Sequence, residues 1–192
     1  MLEVQKWMKD RFDFGDATIG KLCRNMPQLL IANIETLDER AKEIQEELSL
    51  DDKELSKAIS SVPNLLSQSV EDNIRPKMNF FRCTFALDVE EMKSLILRYP
   101  ILLRYSIKDS LDPKVQFYSK LSGEAVAKEA ILENPNLLTV SQKSRLQPRL
   151  AEVEEQDGAV RWTKTLLIRM ATRTPAAWEA YRLNEARPKG RP

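Results

Sequence analysis

The sequence of 192 residues contains no histidine, only two cysteines and only five glycines. Without histidine, the chain lacks the commonest general base of enzymes and the commonest protein ligand of metal ions. Cys23 and Cys83 are too few to build a zinc site from cysteine and histidine, and their surroundings are not typical of a secreted disulfide scaffold. Both fall within helical patterns, so we expect them to be small buried residues.

Long apolar runs and catalytic patterns are also missing. No apolar run approaches the roughly 20 residues that a membrane-spanning helix needs. There is no glycine-rich phosphate loop and no nucleophile elbow, and the adjacent Glu-Glu pairs point in different directions on a helix. We therefore predict a chain that is not an enzyme and that holds no cofactor and no metal ion. Scarce glycine, with much Leu, Glu, Lys, Arg and Ala, favours helix.

The main positive feature is an internal repeat of a proline, a Leu-Leu pair, a serine, a second proline and a basic residue. Three copies place the second proline 13 residues after the first, at Pro63 and Pro76, Pro100 and Pro113, and Pro135 and Pro148. An earlier copy begins at Pro27 with Glu39 in place of the second proline, and a degenerate copy begins at Pro175. The leading prolines are 35 to 40 residues apart, a period typical of stacked helix pairs.

These residues resemble the repeat of the mitochondrial transcription termination factor (mTERF) family, in which Pro-x-Leu-Leu is followed by Ser and then by Leu-x-Pro-Lys. The resemblance extends from about Asp16 to Tyr181. It implies an all-α fold, a curved α-solenoid of helix pairs that each carry a short 3₁₀ turn. It also implies a mitochondrial or chloroplast protein that binds nucleic acid and acts in transcription termination, ribosomal RNA maturation or intron splicing.

We predict a single repeat domain over residues 1–183 and a basic tail at 184–192. A capping helix within 1–13 precedes repeats at about 14–49, 50–86, 87–121, 122–157 and 158–183. In each repeat the leading proline should end the first helix, the Leu-Leu pair should enter the core through a 3₁₀ turn, and the second proline should be the first residue of the second helix. The opening residues lack the composition of a transit peptide, so we expect a processed form, a fragment or a gene model without its first part.

Charge is unevenly distributed, although the formal net charge is only +1. Residues 35–57 carry nine acids and four bases, whereas residues 141–192 carry eleven bases and six acids. This asymmetry favours a polyanion bound toward the C-terminal end, and the alternative is a pair of differently charged solvated faces.

A basic residue follows the second proline in three copies, as Lys77, Lys114 and Arg149, and Arg40 is a weaker first member. Equivalent residues of a solenoid lie along one edge, and regularly spaced cations suit a phosphate backbone. The alternative is that these side chains merely face water. Together with the resemblance, the pattern predicts an exposed row that binds nucleic acid. Arginines near the proline turns complete the predicted interface: Arg98, Arg104, Arg145, Arg169 and Arg173.

Two functions are compatible with these features. The first is a non-catalytic organellar protein, monomeric and independent of membranes, that binds double-stranded DNA or structured RNA through its basic face. The second is a protein-interaction solenoid that recruits an RNA-modifying or ribosomal partner, which the acidic N-terminal half favours. DNA and RNA both remain candidate ligands, and mitochondria and chloroplasts both remain candidate locations.

Overall fold

The chain is all-α in the computed structural model, which describes residues 2–157 and 160–185. Those ranges contain eleven α-helices and no β-strand, which confirms the predicted all-α repeat fold. The helices divide into two compact units, Met1–Arg104 and Tyr105–Pro192. Most of the predicted basic tail, residues 186–192, lies outside the described residues.

The first unit holds six α-helices. They are α1 (Leu2–Phe12), α2 (Asp16–Asn25), α3 (Ile34–Glu47), α4 (Asp52–Ser61), α5 (Arg75–Phe85) and α6 (Val89–Arg98). The 3₁₀ turns Pro27–Ile31, Pro63–Ser67 and Pro100–Arg104 follow α2, α4 and α6. A π-helical turn, Val70–Ile74, runs directly into α5.

The second unit repeats this order, except that its last two α-helices have no 3₁₀ turn between them. Its helices are α7 (Asp112–Ser122), α8 (Glu124–Glu133), α9 (Gln147–Asp157), α10 (Lys164–Thr172) and α11 (Pro175–Glu185). The π-helical turns Ile107–Leu111 and Gln142–Leu146 run into α7 and α9. One 3₁₀ turn, Pro135–Leu138, follows α8.

The leading prolines end the preceding helices as predicted. The residue before each proline leaves the α region, as at Val62 (φ −136°, ψ 78°) and Tyr99 (φ −135°, ψ 58°), because the proline ring disfavours α geometry at the preceding residue. The Leu-Leu pairs that follow are at most 2% exposed in three copies: Leu65, Leu66, Leu102, Leu103, Leu137 and Leu138. These pairs therefore belong to the core in these three repeats.

The second prolines differ from the prediction, because none of them is the first residue of its helix. Pro76 lies within a continuous helical segment that begins after Ser69, whose hydroxyl accepts a hydrogen bond from the Asp72 backbone N–H at 3.1 Å. Inside an α-helix a proline ring collides with the carbonyl four residues earlier. A wide turn, with Ile74 N bonded to Ser69 O at 3.3 Å, gives the ring room. The other two copies begin in the same way, at Ser106 and Ser141.

The two cysteines also differ from the prediction. Cys83 is exposed and Cys23 is partly exposed, and both are free thiols. Each cysteine lies on a helix, but beside the apolar stripe and not within it. A position within a helical pattern was therefore not enough to predict burial.

Candidate nucleic-acid interface

The three cations that follow the second prolines are buried, so the expectation of an exposed row is wrong. Lys77, Lys114 and Arg149 are each only 6% exposed. Lys77 Nζ donates to the carbonyl oxygen of Leu103, and Lys114 Nζ donates to that of Leu138 at 2.6 Å. Each acceptor is the second leucine of the Pro-x-Leu-Leu turn in the following repeat.

Arg149 makes the corresponding contact at the end of the second unit. Its Nη1 donates to the carbonyl of Met170 at 2.6 Å and its Nη2 to that of Arg173 at 2.9 Å. These carbonyls lie at the C-terminal end of α10. Arg40 in the first unit is a looser version, with Nη1 at 3.3 Å from Gln68 O. We call Arg40, Lys77, Lys114 and Arg149 the linking cations.

The linking cations satisfy a need that every helix end creates. The last carbonyls of a helix have no partner within that helix, and a cation there also complements the helix dipole. Charge-assisted bonds of this kind are short and strong. Burial lowers the pKa of Lys77 and of Lys114. Since the buried charges already have protein partners, they present no free charge to a phosphate.

The other predicted arginines of the first unit are accessible. Arg98 is exposed in the last turn of α6, where its guanidinium lies 6.0 Å from the centre of the Tyr99 ring. Arg104 is exposed at the end of the third proline turn. Both remain candidate ligands of phosphate.

Two of the three predicted arginines of the second unit lie against an aromatic residue of α11. The guanidinium groups of Arg169 and Arg173 each lie 5.0 Å from the centre of the Tyr181 ring, within the range of cation–π attraction. Arg145 is partly buried, and its Nη1 lies 3.4 Å from Ala171 O. All three keep some contact with solvent.

Arg145 and Arg149 line a groove of about 850 Å³ between α9 and α11, together with Trp178 and Arg182. Glu152 lies in its wall, where it accepts from Trp178 Nε1 at 2.8 Å and pairs with Arg182 at 2.7 Å. Burial raises the pKa of Glu152, but the hydrogen bonds from Trp178 and Arg182 and the charges of Arg182 and Arg149 together lower it below its ordinary value. Arg182 is thereby neutralised and Arg149 is bonded to carbonyls, so the groove leaves Arg145 beside the exposed carboxylate of Glu179.

Two lysines of the second unit were missed by the sequence reasoning. Lys108 and Lys143 are exposed on the two π-helical turns, and each lies two positions after the capping serine. The equivalent residue in the first unit is Glu71, which pairs with Arg75. The sequence does show both lysines at the same offset from their serines. The prediction considered the residue after the second proline instead, and so did not include them.

The groove between α3 and the start of α5 in the first unit has the opposite character. Arg40 and Arg75 line it, but Arg40 donates to Gln68 O and Arg75 pairs with Glu47 and Glu71. Its carboxylates outnumber these two arginines: Glu39, Glu43, Glu46, Glu47 and Glu71. This surface repels polyanions.

The model of the mTERF family matches residues 3–173 of this chain. No curated protein matches it. Within the described ranges, the structure shows neither a cluster of side chains able to hold a metal ion nor a helix with the length and apolar character needed to cross a membrane.

Proposed function

The chain belongs to the mTERF family, and we propose that it binds nucleic acid without catalysis, chiefly through the cationic surface of its second unit. Membership of this family associates it with transcription termination or RNA processing in mitochondria or chloroplasts. Either double-stranded DNA or structured RNA fits a surface that contacts the backbone.

One observation carries this proposal: equivalent positions of the two units differ in charge. The site of Glu71 in the first unit is occupied by Lys108 and Lys143 in the second. Both lysines are exposed, and neither has an ion-pair partner among the described residues. Two like charges at the same position of adjacent repeats suit a ligand with a regular array of negative charge.

The neighbouring arginines extend this surface. Arg145, Arg169 and Arg173 hold their guanidinium groups against carbonyls or the Tyr181 ring while staying partly exposed. Such groups are fixed in place before a ligand arrives, so less side-chain entropy is lost on binding. Arg98 and Arg104 of the first unit are separate candidate contacts. The linking cations are not included, because their charges are already partnered.

A salt titration of binding tests the proposal. We would measure the affinity of labelled duplex DNA, and separately of structured RNA, by fluorescence anisotropy at several salt concentrations. A backbone ligand loses affinity steeply with salt, with a slope of log affinity against log salt of about 0.9 per phosphate contact on duplex DNA. The substitutions Lys108→Gln, Lys143→Gln and Arg145→Gln together should weaken binding and flatten this slope for all sequences alike.

The matched control removes exposed lysines from the first unit. Lys53→Gln with Lys57→Gln takes away two exposed cations of α4 and should leave affinity and slope unchanged. Circular dichroism checks the folding of both variants. Equal binding by the parent and by the folded triple variant, or a binding constant that does not respond to salt, would contradict the proposal.

A further inference from the structure

The first proline turn exposes apolar surface that the later turns do not. Ile31 is 88% exposed and ends the turn Pro27–Ile31. The same position, four residues after the leading proline, is Ser67, Arg104 and Thr139 in the other copies. A polar residue is thus the rule at this exposed position, and isoleucine is the exception.

The neighbouring leucine is also less covered. Leu30 is partly exposed, whereas its equivalents Leu66, Leu103 and Leu138 are at most 2% exposed. In two later turns a linking cation from the preceding second helix, Lys77 or Lys114, donates to the carbonyl of this leucine, and Arg40 reaches Gln68 O just past the turn Pro63–Ser67. The helix in that place before the first turn is α1, and the position equivalent to the linking cations is Val4, which cannot donate a hydrogen bond.

These residues line a groove of about 1110 Å³ between α1 and the start of α3, with Trp7 and Ile34 also in its walls. Its rim is acidic. Asp38 engages two of the three cations there, Arg11 and Lys42, and Arg11 also pairs with Asp52. The remaining cation of the groove, Lys6, is outnumbered by the remaining carboxylates: Glu3, Asp10, Glu35 and Glu39.

We propose that this groove binds an amphipathic helix of a partner protein, with leucine-like residues against Leu30 and Ile31 and with lysine or arginine on its flanks. Apolar anchors of a helix recur at every third or fourth residue and fit an elongated apolar groove. The acidic rim selects basic flanks and rejects nucleic acid. This surface is independent of the proposed nucleic-acid interface, because it lies in the other unit and has the opposite charge.

The test uses a synthetic helical peptide of about 15 residues, with leucines at helical spacing and lysines elsewhere. Its binding is measured by fluorescence anisotropy, and its position by NMR of the isoleucine δ-methyl groups. We expect the Ile31 and Ile34 methyl signals to shift while those of the buried Ile44 and Ile59 do not. A peptide with glutamate in place of every lysine should not bind.

The variant Ile31→Ser installs the residue that the next repeat has at this position, so the turn should fold normally. The substitution should lower the affinity for the lysine peptide by about tenfold, because one apolar side chain of the groove no longer contacts the peptide. The matched control is Val89→Ser, since Val89 is another exposed apolar residue of the first unit, at 54% exposure, and it should bind as the parent does.

Three results of the peptide experiments would overturn the proposal. They are equal affinity for the parent and for Ile31→Ser, peptide-induced shifts outside the groove, and binding of the glutamate peptide as tight as that of the lysine peptide. Sedimentation velocity without peptide addresses a different occupant. A dimer that Ile31→Ser dissolves would assign the groove to a second copy of this chain and would equally reject the partner helix.

Discussion

Replacing Lys114 by methionine removes one linking cation and keeps most of the side-chain volume. The change leaves the carbonyl of Leu138 without its donor, which lies at 2.6 Å, and also removes a bond to Ser110 Oγ at 3.0 Å. It further removes the ammonium from above the Tyr105 ring, whose centre lies 4.8 Å away. The acceptor is buried, so water cannot simply take the place of the lysine.

The expected cost follows from two opposing effects. A hydrogen bond to a charged group contributes about 1.5–3 kcal/mol, and an acceptor left buried without a partner costs a similar amount. The substitution also releases the desolvation of the ammonium, which is the cause of the lowered pKa of Lys114. We therefore expect a net loss of about 1–2 kcal/mol, at the lower end of the range for a lost charged bond.

Hydrogen–deuterium exchange measures this loss where it occurs. Because exchange is measured amide by amide, it localises the loss to the elements that make the bond, which a global denaturation curve does not do. Backbone amides in α7 and in the turn Pro135–Leu138 should exchange about 5- to 30-fold faster in Lys114→Met, the factor that corresponds to about 1–2 kcal/mol. The control is Lys120→Met, which removes an exposed lysine from the same helix and should leave exchange unchanged.

Nucleic-acid binding by the same variant separates a structural role from a ligand role. If Lys114 only links two repeats, folded Lys114→Met should bind DNA or RNA with the affinity and salt slope of the parent. Unchanged exchange in Lys114→Met would refute the linking role, and a reduced salt slope in a folded protein would return Lys114 to the nucleic-acid interface.

Three further predictions concern stability. Leu102→Ala should lower the free energy of unfolding by about 2–5 kcal/mol, the range for truncation of a buried leucine, as measured by urea denaturation. A loss as small as that of a surface substitution would show that this turn is not part of the core. Ser106→Ala removes the cap that accepts from Asp109 N at 3.1 Å and should cost about 1 kcal/mol; an unchanged midpoint would contradict this. Burial raises the pKa of Tyr118 above its ordinary value of 10.0, so its contribution to stability should be present below pH 10.0 and be lost as the pH rises above it. Denaturation midpoints across this range should fall less steeply in Tyr118→Phe, although that variant also loses the bond from the hydroxyl to Leu137 O at 3.1 Å, and equal slopes would refute the prediction.

The sequence predicted the proline turns well because their physics is local. A proline restricts the residue before it whatever surrounds it, and Leu-Leu pairs at a constant offset indicate a constant buried position. The start of each second helix was harder to predict, because it depends on residues several positions before the proline. Pro76 suggested a helix start, whereas the Ser69 cap and the wide turn before the proline extend the helix in the N-terminal direction.

The exposure of the linking cations was predicted wrongly, although the sequence held the information. Lys114 lies three residues after the buried Leu111 and four before the buried Tyr118, a spacing that places it on the apolar face of its helix. What the sequence did not contain was the acceptor, since the carbonyl of Leu138 belongs to the next repeat. A lysine on an apolar face has no explanation until that partner is known.

Each linking bond has its donor in one repeat and its acceptor in the next, and this limits how the repeats can be rearranged. Lys77 donates to Leu103 O, whereas Arg40 donates to the carbonyl of Gln68, two residues beyond the equivalent Leu66. Arg149 needs two carbonyls at the end of α10. A repeat transplanted to another place would carry a donor that does not fit its new neighbour. The unit that duplication or engineering must copy intact is therefore the junction, meaning the second helix of one repeat with the turn of the following one.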